Sequence, residues 1–394
     1  MTRCAPTASG PATTTEHLSD VHDVLAPEPG GDGEHDSERL VRSARQVADG
    51  LLRPMAQATD RALMVPPGHL RALADAGLCG ISGPPDAGGL AASPAVVRLV
   101  YETLAGACGV TFFVWVQHHA PVRMLAASAN AELRDHWLAP LCAGDVLGGV
   151  AFAYLRRPGP PAVVARAVPG GWVIDGEAPF VTSWGMARLF AVAAQAGDDV
   201  VYFALDAEVH AAGSGSSVAA SPPLALVAMG ASATVRLGFH SLFVPDGDVI
   251  ATMPLATWRG RDRSGTSRPH PAPFGLAATA TRLLAERAES SGQAAVGQAA
   301  SRLAGELDVC RRQSYALVDE HRDDDAHLEA LVGARAWSLD LALRSAAALV
   351  AAGGGGSMAL SSPAQRLLRE AAFWSIQAQT APLREATLVR LARP

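Results

Sequence analysis

Apolar residues recur at three- and four-residue spacing from Ser37 onward, at Leu40, Ala44, Val47 and Leu51, with Arg42, Arg45 and Asp49 between them. That spacing lays one apolar stripe along a helix. Pro54 should end or bend it, because proline has no N–H to give the preceding turn. A second helix runs from about Pro67 through Leu70, Leu73 and Ala76 and stops at Gly77, a residue suited to the left-handed position after a helix. A crossing rich in glycine and proline follows, from Leu78 to Leu90. Helical patterns then cover roughly 94–106, 110–127 and 132–141. The middle one is apolar nearly all round, which predicts a buried helix.

At Gly148 the period changes to two. Seven short apolar or alternating runs follow: Gly148–Tyr154, Val163–Val168, Trp172–Asp175, Leu189–Gln195, Val200–Leu205, Leu224–Met229 and Thr234–Phe239. Gly170-Gly171 and Asp175-Gly176 punctuate them as hairpin turns do. Together the runs predict a compact β barrel or sandwich, which the chain leaves at Val244-Pro245-Asp246-Gly247. Residues 254–273 are turn-rich and cationic (Arg259, Arg261, Arg263, Arg268) and read as an exposed linker. Helical periodicity resumes at Phe274-Gly275-Leu276 and continues in long helices near 293–318 and 327–352, then breaks at Gly353–Gly356 before a last helical stretch.

The expected organisation is α+β and multidomain. A leader over 1–36, without periodicity and rich in Thr, Pro, Gly and Asp, reads as disordered by composition. An N-terminal helical domain covers 37–147, a middle β domain 148–252, a linker 253–273 and a C-terminal helical bundle 274–394. There is no internal repeat and no GxGxxG at a strand-to-helix turn, which disfavours a doubly wound nucleotide fold.

Composition narrows the function. The chain has 394 residues, 49% hydrophobic and 18% charged, with net charge −6. That balance fits a globular protein of two or three domains and argues against nucleic-acid backbone binding. All 32 basic residues are arginine, so neither a Schiff-base lysine nor a P-loop lysine is available. No apolar run approaches the roughly 18 residues that suggest a membrane span, and the N-terminus has no secretory pattern. A cytoplasmic protein without a membrane partner is therefore expected. Cys4, Cys79, Cys108, Cys142 and Cys310 show no CxxC spacing and read as buried free thiols. His118 and His119 are adjacent, which on a helix points them about 100° apart and suits no shared metal; no metal site is expected.

Five segments in order resemble the acyl-CoA dehydrogenase family of flavoproteins. They are the crossing Leu73–Gly89; the strand and Pro-Gly turn of 144–159; the hairpin Gly171–Gly176 with Phe180-Val181-Thr182-Ser183; the exit from Ala231-Ser232-Ala233-Thr234 to Phe243-Val244-Pro245; and the stretch from Gly353-Gly354-Gly355-Gly356 through Ser362–Ala371 to Thr380. The resemblance implies FAD as cofactor and a flavin-dependent redox step on an acyl thioester or related small substrate, carried on CoA or a carrier protein. It implies that Thr182 offers its hydroxyl to flavin N5 and that Phe180 replaces the usual tryptophan as the apolar wall. Backbone groups around Tyr154, Leu155 and Arg156 would meet the pyrimidine edge, and Gln379 and Thr380 the diphosphate. Gly354 and Gly355 would let the backbone approach a neighbouring subunit's flavin, which implies a homodimer or homotetramer. An electron-transfer flavoprotein or a flavin reductase would be the redox partner.

The chain departs from that pattern where the chemistry is done. Removing an α proton needs a positioned base, and the position that usually carries a glutamate is Ala378. An alternative location on an earlier helix reads Gly265, with Asp262 the closest acid. The flavin loop is altered to Leu155-Arg156-Arg157-Pro158-Gly159-Pro160-Pro161, and the Arg-x-x-Phe-Gly motif is missing after Arg287. His118 and His119 are candidate replacement bases, weighed against satisfied core histidines. Arg369 and Glu370 read as ion-pairing groups. Three readings follow: a dehydrogenase-like flavoenzyme, a flavin-dependent monooxygenase on the same fold, which needs no carboxylate base, or a catalytically silent scaffold.

Overall fold

The structure, a computed structural model, describes residues 33–210, 217–322 and 324–393. The expected leader lies almost wholly outside the described residues, as does Cys4. The first helix, α1 (Gly33–Val47), passes through a π turn at Ala48–Leu52 into α2 (Arg53–Asp60) without a break. Pro54 therefore does not end the helix. The wide turn just before it takes up the backbone bond that proline cannot make. Leu40, Ala44, Ala48, Leu52 and Ala56 form the buried stripe.

Next come α3 (Pro67–Asp75), α4 (Pro94–Ala107), α5 (Gly109–Ala126) and α6 (Ala131–Ala143). Gly77 has φ 73° and fills the left-handed position expected of it. As its composition requires, α5 is buried on nearly every side, packing against α4, α6 and the first strand.

Eight strands make one mixed sheet: β1 (Gly148–Ala151), β2 (Val163–Val168), β3 (Gly171–Val181), β4 (Leu189–Ala196), β5 (Asp199–Asp206), β6 (Val218–Ala220), β7 (Val235–Pro245) and β8 (Val249–Pro254). Their order is β6-β7-β3-β2-β4-β5-β8, with β1 also on β4. A short helix, α7 (Ala207–His210), follows β5. One face holds Ile174, Phe190, Val192, Phe203 and Phe239. The other packs Leu189, Ala191, Val200 and Tyr202 against Leu125, Trp137 and Leu141 of α5 and α6. With both faces covered, β4 reads as a continuous apolar run rather than an alternation.

Two expectations fail here. Leu224–Met229 forms no strand: Val227 is 79% exposed, while Ala228 and Met229 turn into the core of the helical domains without pairing in the sheet. The supposed linker contains a thirteen-residue helix, α8 (Leu255–Ser267). Its inward stripe is Trp258, Asp262 and Thr266, spaced four apart. Two of those three side chains are polar, so an apolar-periodicity search misses it.

The C-terminal bundle contains α9 (Pro271–Ser291), α10 (Ala294–Asp319) and α11 (Asp325–Gly353), close to the expected bounds, then α12 (Pro363–Trp374) and α13 (Ala381–Leu391). α9 lies tightly on α4. A Cβ on Gly275 would sit 2.1 Å from Glu102 O, and one on Gly106 would sit 2.5 Å from Gly275 O, so two facing glycines set this crossing. α12 is tied back to α2: Arg366 pairs with Glu370 at 2.8 Å and reaches Gln57 at 2.6 Å, while Arg369 pairs with Asp60. Arg369 and Glu370 are thus the ion-pairing groups the sequence implied. Cys79, Cys108, Cys142 and Cys310 are buried free thiols.

Candidate active site

The β side of the site begins with an irregularity. The pairing of β3 with β7 shifts register between Ala178 and Val181, and such a bulge re-aims a side chain. Phe180 is left 55% exposed, its ring 5.8 Å from the Arg157 guanidinium. Two residues on, Thr182 is 7% exposed and its hydroxyl lies 3.1 Å from that of Thr234, which in turn lies 2.8 Å from Ser232 Oγ. Ser183, Met229 and Ala233 around this hydroxyl chain all have positive φ, at 71°, 59° and 48°. Non-glycine residues held there cost of order 1–3 kcal/mol each, and such strain collects at functional sites.

The 153–157 turn joins this face to the helices. The Tyr154 hydroxyl donates into the sheet core, to the Ala151 and Ala193 carbonyls. Leu155 packs partly buried on the sheet. Arg156 grips Asp262 of α8 with Nε at 3.0 and 2.9 Å and Nη2 at 2.7 Å. Both oxygens of the acid nearest the alternative base position are therefore committed to a guanidinium.

Behind that pair lies Arg335, in the middle of α11 and 3% exposed. Its Nη1 donates to Thr266 O at 2.5 Å, one of the open carbonyls at the end of α8, and its Nη2 to Gln377 O at 2.9 Å. Its Nε is sealed in without a partner. Burial, then repulsion from Arg156, lowers its pKa to about 10, with Asp262 acting the other way. The bond to Gln377 fixes the segment that carries Ala378, a half-buried methyl with φ 48°.

His270 caps α9, its Nδ1 accepting from the Ala272 N–H at 3.1 Å. Its ring stacks on Trp374, at 4.8 Å and 19°, and tilts against Tyr101 at 6.3 Å. Burial, then the charge of Arg335, push its pKa down to about 3. A neutral ring whose Nδ1 accepts must carry its proton on Nε2.

The two histidines singled out by sequence lie nearby on α5, with different surroundings. His118 accepts from the Gly148 N–H at 2.9 Å through Nδ1 and meets Cys79 O at 3.1 Å through Nε2. Both nitrogens are thus committed to the backbone. His119 has both nitrogens sealed without a partner, beside Trp115 at 4.4 Å and Tyr101 at 6.0 Å. Burial lowers both pKa values, that of His118 to about 4.

Gln379 is held by Ser375 O and Arg384. Thr380 begins α13 with no side-chain capping bond, which leaves its hydroxyl available. Gly354 and Gly355 stand elsewhere. Arg335 and Gly353 are 18 positions apart on α11, about 27 Å at 1.5 Å per residue. A Cβ on Gly354, Gly355 or Gly356 would meet nothing within 4 Å, so this turn presents open backbone.

These residues fit a flavin. The bulge turns an aromatic face outward beside a hydroxyl relay, and a backbone turn and a cationic cluster flank it. Sequence reasoning missed Arg335 and His270. Their signals were a lone arginine inside Ala334-Arg335-Ala336-Trp337 and a histidine between Pro269 and Pro271 at a helix start.

Comparisons with known proteins agree with this architecture. Residues 34–145 match the acyl-CoA dehydrogenase N-terminal domain family. Benzylmalonyl-CoA dehydrogenase of Aromatoleum aromaticum is 26% identical over 219 residues, covering 54% of this chain and 56% of that relative, so the match spans little more than half of either. Butyryl-CoA dehydrogenase of Megasphaera elsdenii superposes with TM-score 0.74 at 16% identity, over 93% of this chain and all of that one. Dibenzothiophene monooxygenase of Paenibacillus sp. A11-2 gives 0.72 at 15% identity, over 90% and 97%. Residues 34–145 thus match the acyl-CoA dehydrogenase N-terminal domain family, and the chain as a whole has the fold of the acyl-CoA dehydrogenases.

Proposed function

We propose that this chain is an FAD-dependent oxidoreductase acting on an acyl thioester or related small organic substrate. The observation that carries the reading is Phe180, turned out of its strand by a bulge beside the Thr182–Thr234–Ser232 hydroxyl relay. Bound FAD would supply the two-electron chemistry. Phe180 would give the ring an apolar wall, and Thr182, bonded to Thr234, would offer it a hydroxyl. Gly354 and Gly355, about 27 Å from Arg335 along α11, serve a second copy of the chain, which makes the working unit a homo-oligomer.

The reading has a branch. Asp262 is bound by Arg156 through both oxygens, and Ala378 has no acid. Neither position offers a free carboxylate to take a substrate proton, which favours monooxygenation over α,β-dehydrogenation as the second reading.

The test is direct. Purified protein should be yellow or should take up FAD; colourless protein that binds none refutes both branches. Anaerobic bleaching by a panel of acyl thioesters selects the dehydrogenase. Absence of bleaching, with substrate oxygenation when reduced flavin meets oxygen, selects the monooxygenase.

A further inference from the structure

We propose that His270 and Arg335 form an oxyanion seat beside Ala378, so that the substrate group docked there carries a negatively charged oxygen, a carboxylate or a phenolate. This deepens the redox reading by naming the substrate class, and it rests on the same site.

Arg335 supplies the charge. Its two bonded N–H groups go to backbone carbonyls, its Nε has no acceptor, and none of its bonds among the described residues is to a carboxylate. The neighbouring acid, Asp262, is already held by Arg156 through three hydrogen bonds. Two guanidiniums therefore share one carboxylate, and the cluster has a formal charge of +1. A buried cation left uncompensated is costly, and the charge of an anionic ligand oxygen docked on the neighbouring His270 offsets that cost.

His270 supplies direction. With Nδ1 occupied by the Ala272 N–H, the neutral ring offers Nε2–H, which has no hydrogen-bond partner among the described residues and sits on a half-buried side chain. The stack on Trp374 fixes the ring plane. The ring also stands at the positive end of a 21-residue helix. Both groups converge on the 374–378 segment, because Arg335 holds Gln377 O and His270 lies on Trp374. Nothing at position 378 competes for them, since alanine has no acid to fill the seat.

The experiment measures binding to the full chain by calorimetry, using matched pairs: benzoate against benzamide, and 4-nitrophenolate against 4-nitroanisole. One anion or both should bind about tenfold tighter than its neutral partner, the scale of one charge-assisted bond. Preference within the benzoate pair alone assigns a carboxylate, and within the phenol pair alone a phenolate. Arg335→Met should bring the ratio to about one, and His270→Phe should lower it several-fold. His270→Gln, which keeps an N–H, should retain more of it than the phenylalanine. Equal binding within both pairs by the unaltered protein overturns the proposal, whether or not Arg335→Met folds. So does a ratio that survives both Arg335→Met and His270→Phe. Flavin content read on the same sample separates the two ideas. Colourless protein with anion preference refutes the redox reading alone, and yellow protein without it refutes the seat alone.

Discussion

Acid should destabilise this protein through His118. The folded ring is neutral by construction: Nδ1 accepts from Gly148 N–H and Nε2–H faces Cys79 O. A second proton would point Nδ1–H at another N–H inside a fully buried site. Burial lowers the folded pKa from 6.5 to about 4, against the bond to Cys79 O, which favours the charged ring. The unfolded ring keeps the ordinary value, so below pH 6.5 the unfolded chain binds the extra proton. Stability from this group is therefore whole above 6.5 and is lost as pH falls toward about 4. At about 1.4 kcal/mol per pH unit, the loss is about 2 kcal/mol at pH 5, a sizeable share of a typical domain stability of about 5–15 kcal/mol. His119 is shifted in the same direction and adds to it. Urea unfolding at pH 7, 6 and 5 and constant ionic strength reads the effect, followed by tryptophan fluorescence because Trp115 packs on His119. His118→Gln should be less stable at pH 7 yet lose about 2 kcal/mol less than the parent between pH 7 and 5. An identical pH dependence in the two proteins would refute the assignment of His118 as a neutral backbone cross-link.

The other predictions concern the relay, the buried ion pair and the helix crossing. Thr182→Val removes the hydroxyl facing Thr234 and should lower flavin turnover by about ten- to a thousandfold with little loss of stability; unchanged turnover would remove Thr182 from the site. Arg366→Met leaves Glu370, 2% exposed, without its partner and should cost about 3–5 kcal/mol in chemical denaturation. Gly275→Ala drives a methyl into Glu102 O, which a Cβ would approach at 2.1 Å. It should lower stability by about 1–3 kcal/mol, whereas Gly305→Ala, in open space on α10, should not.

The parts of the fold that sequence revealed are those whose side chains sort cleanly into apolar and polar. α10 and α11 lie within two residues of their expected bounds at all four ends, and Gly77 takes the left-handed position expected of it. The parts it concealed use polar groups inside. α8 turns Asp262 and Thr266 inward with Trp258, and a pattern search reads those as surface. β6 has three residues, too few to show an alternation. Arg335 is concealed for the same reason as α8, since a lone charge in an apolar helix says nothing about which carbonyls will receive it.

Ala378 and Arg335 bear on one another. The resemblance to the acyl-CoA dehydrogenases implies an acid at the position where this chain has Ala378. The structure adds that the adjacent carbonyl, at Gln377, is held by a buried guanidinium with a spare N–H and no acid of its own. A glutamate at 378 would stand next to that cation and could neutralise it, as Asp262 does for Arg156. With alanine there, position 378 offers no negative group to balance the charge. Alanine at 378 therefore offers neither a proton acceptor nor a charge to balance Arg335. The substrate that suits such a site brings its own negative oxygen and does not depend on residue 378 to take a proton from it.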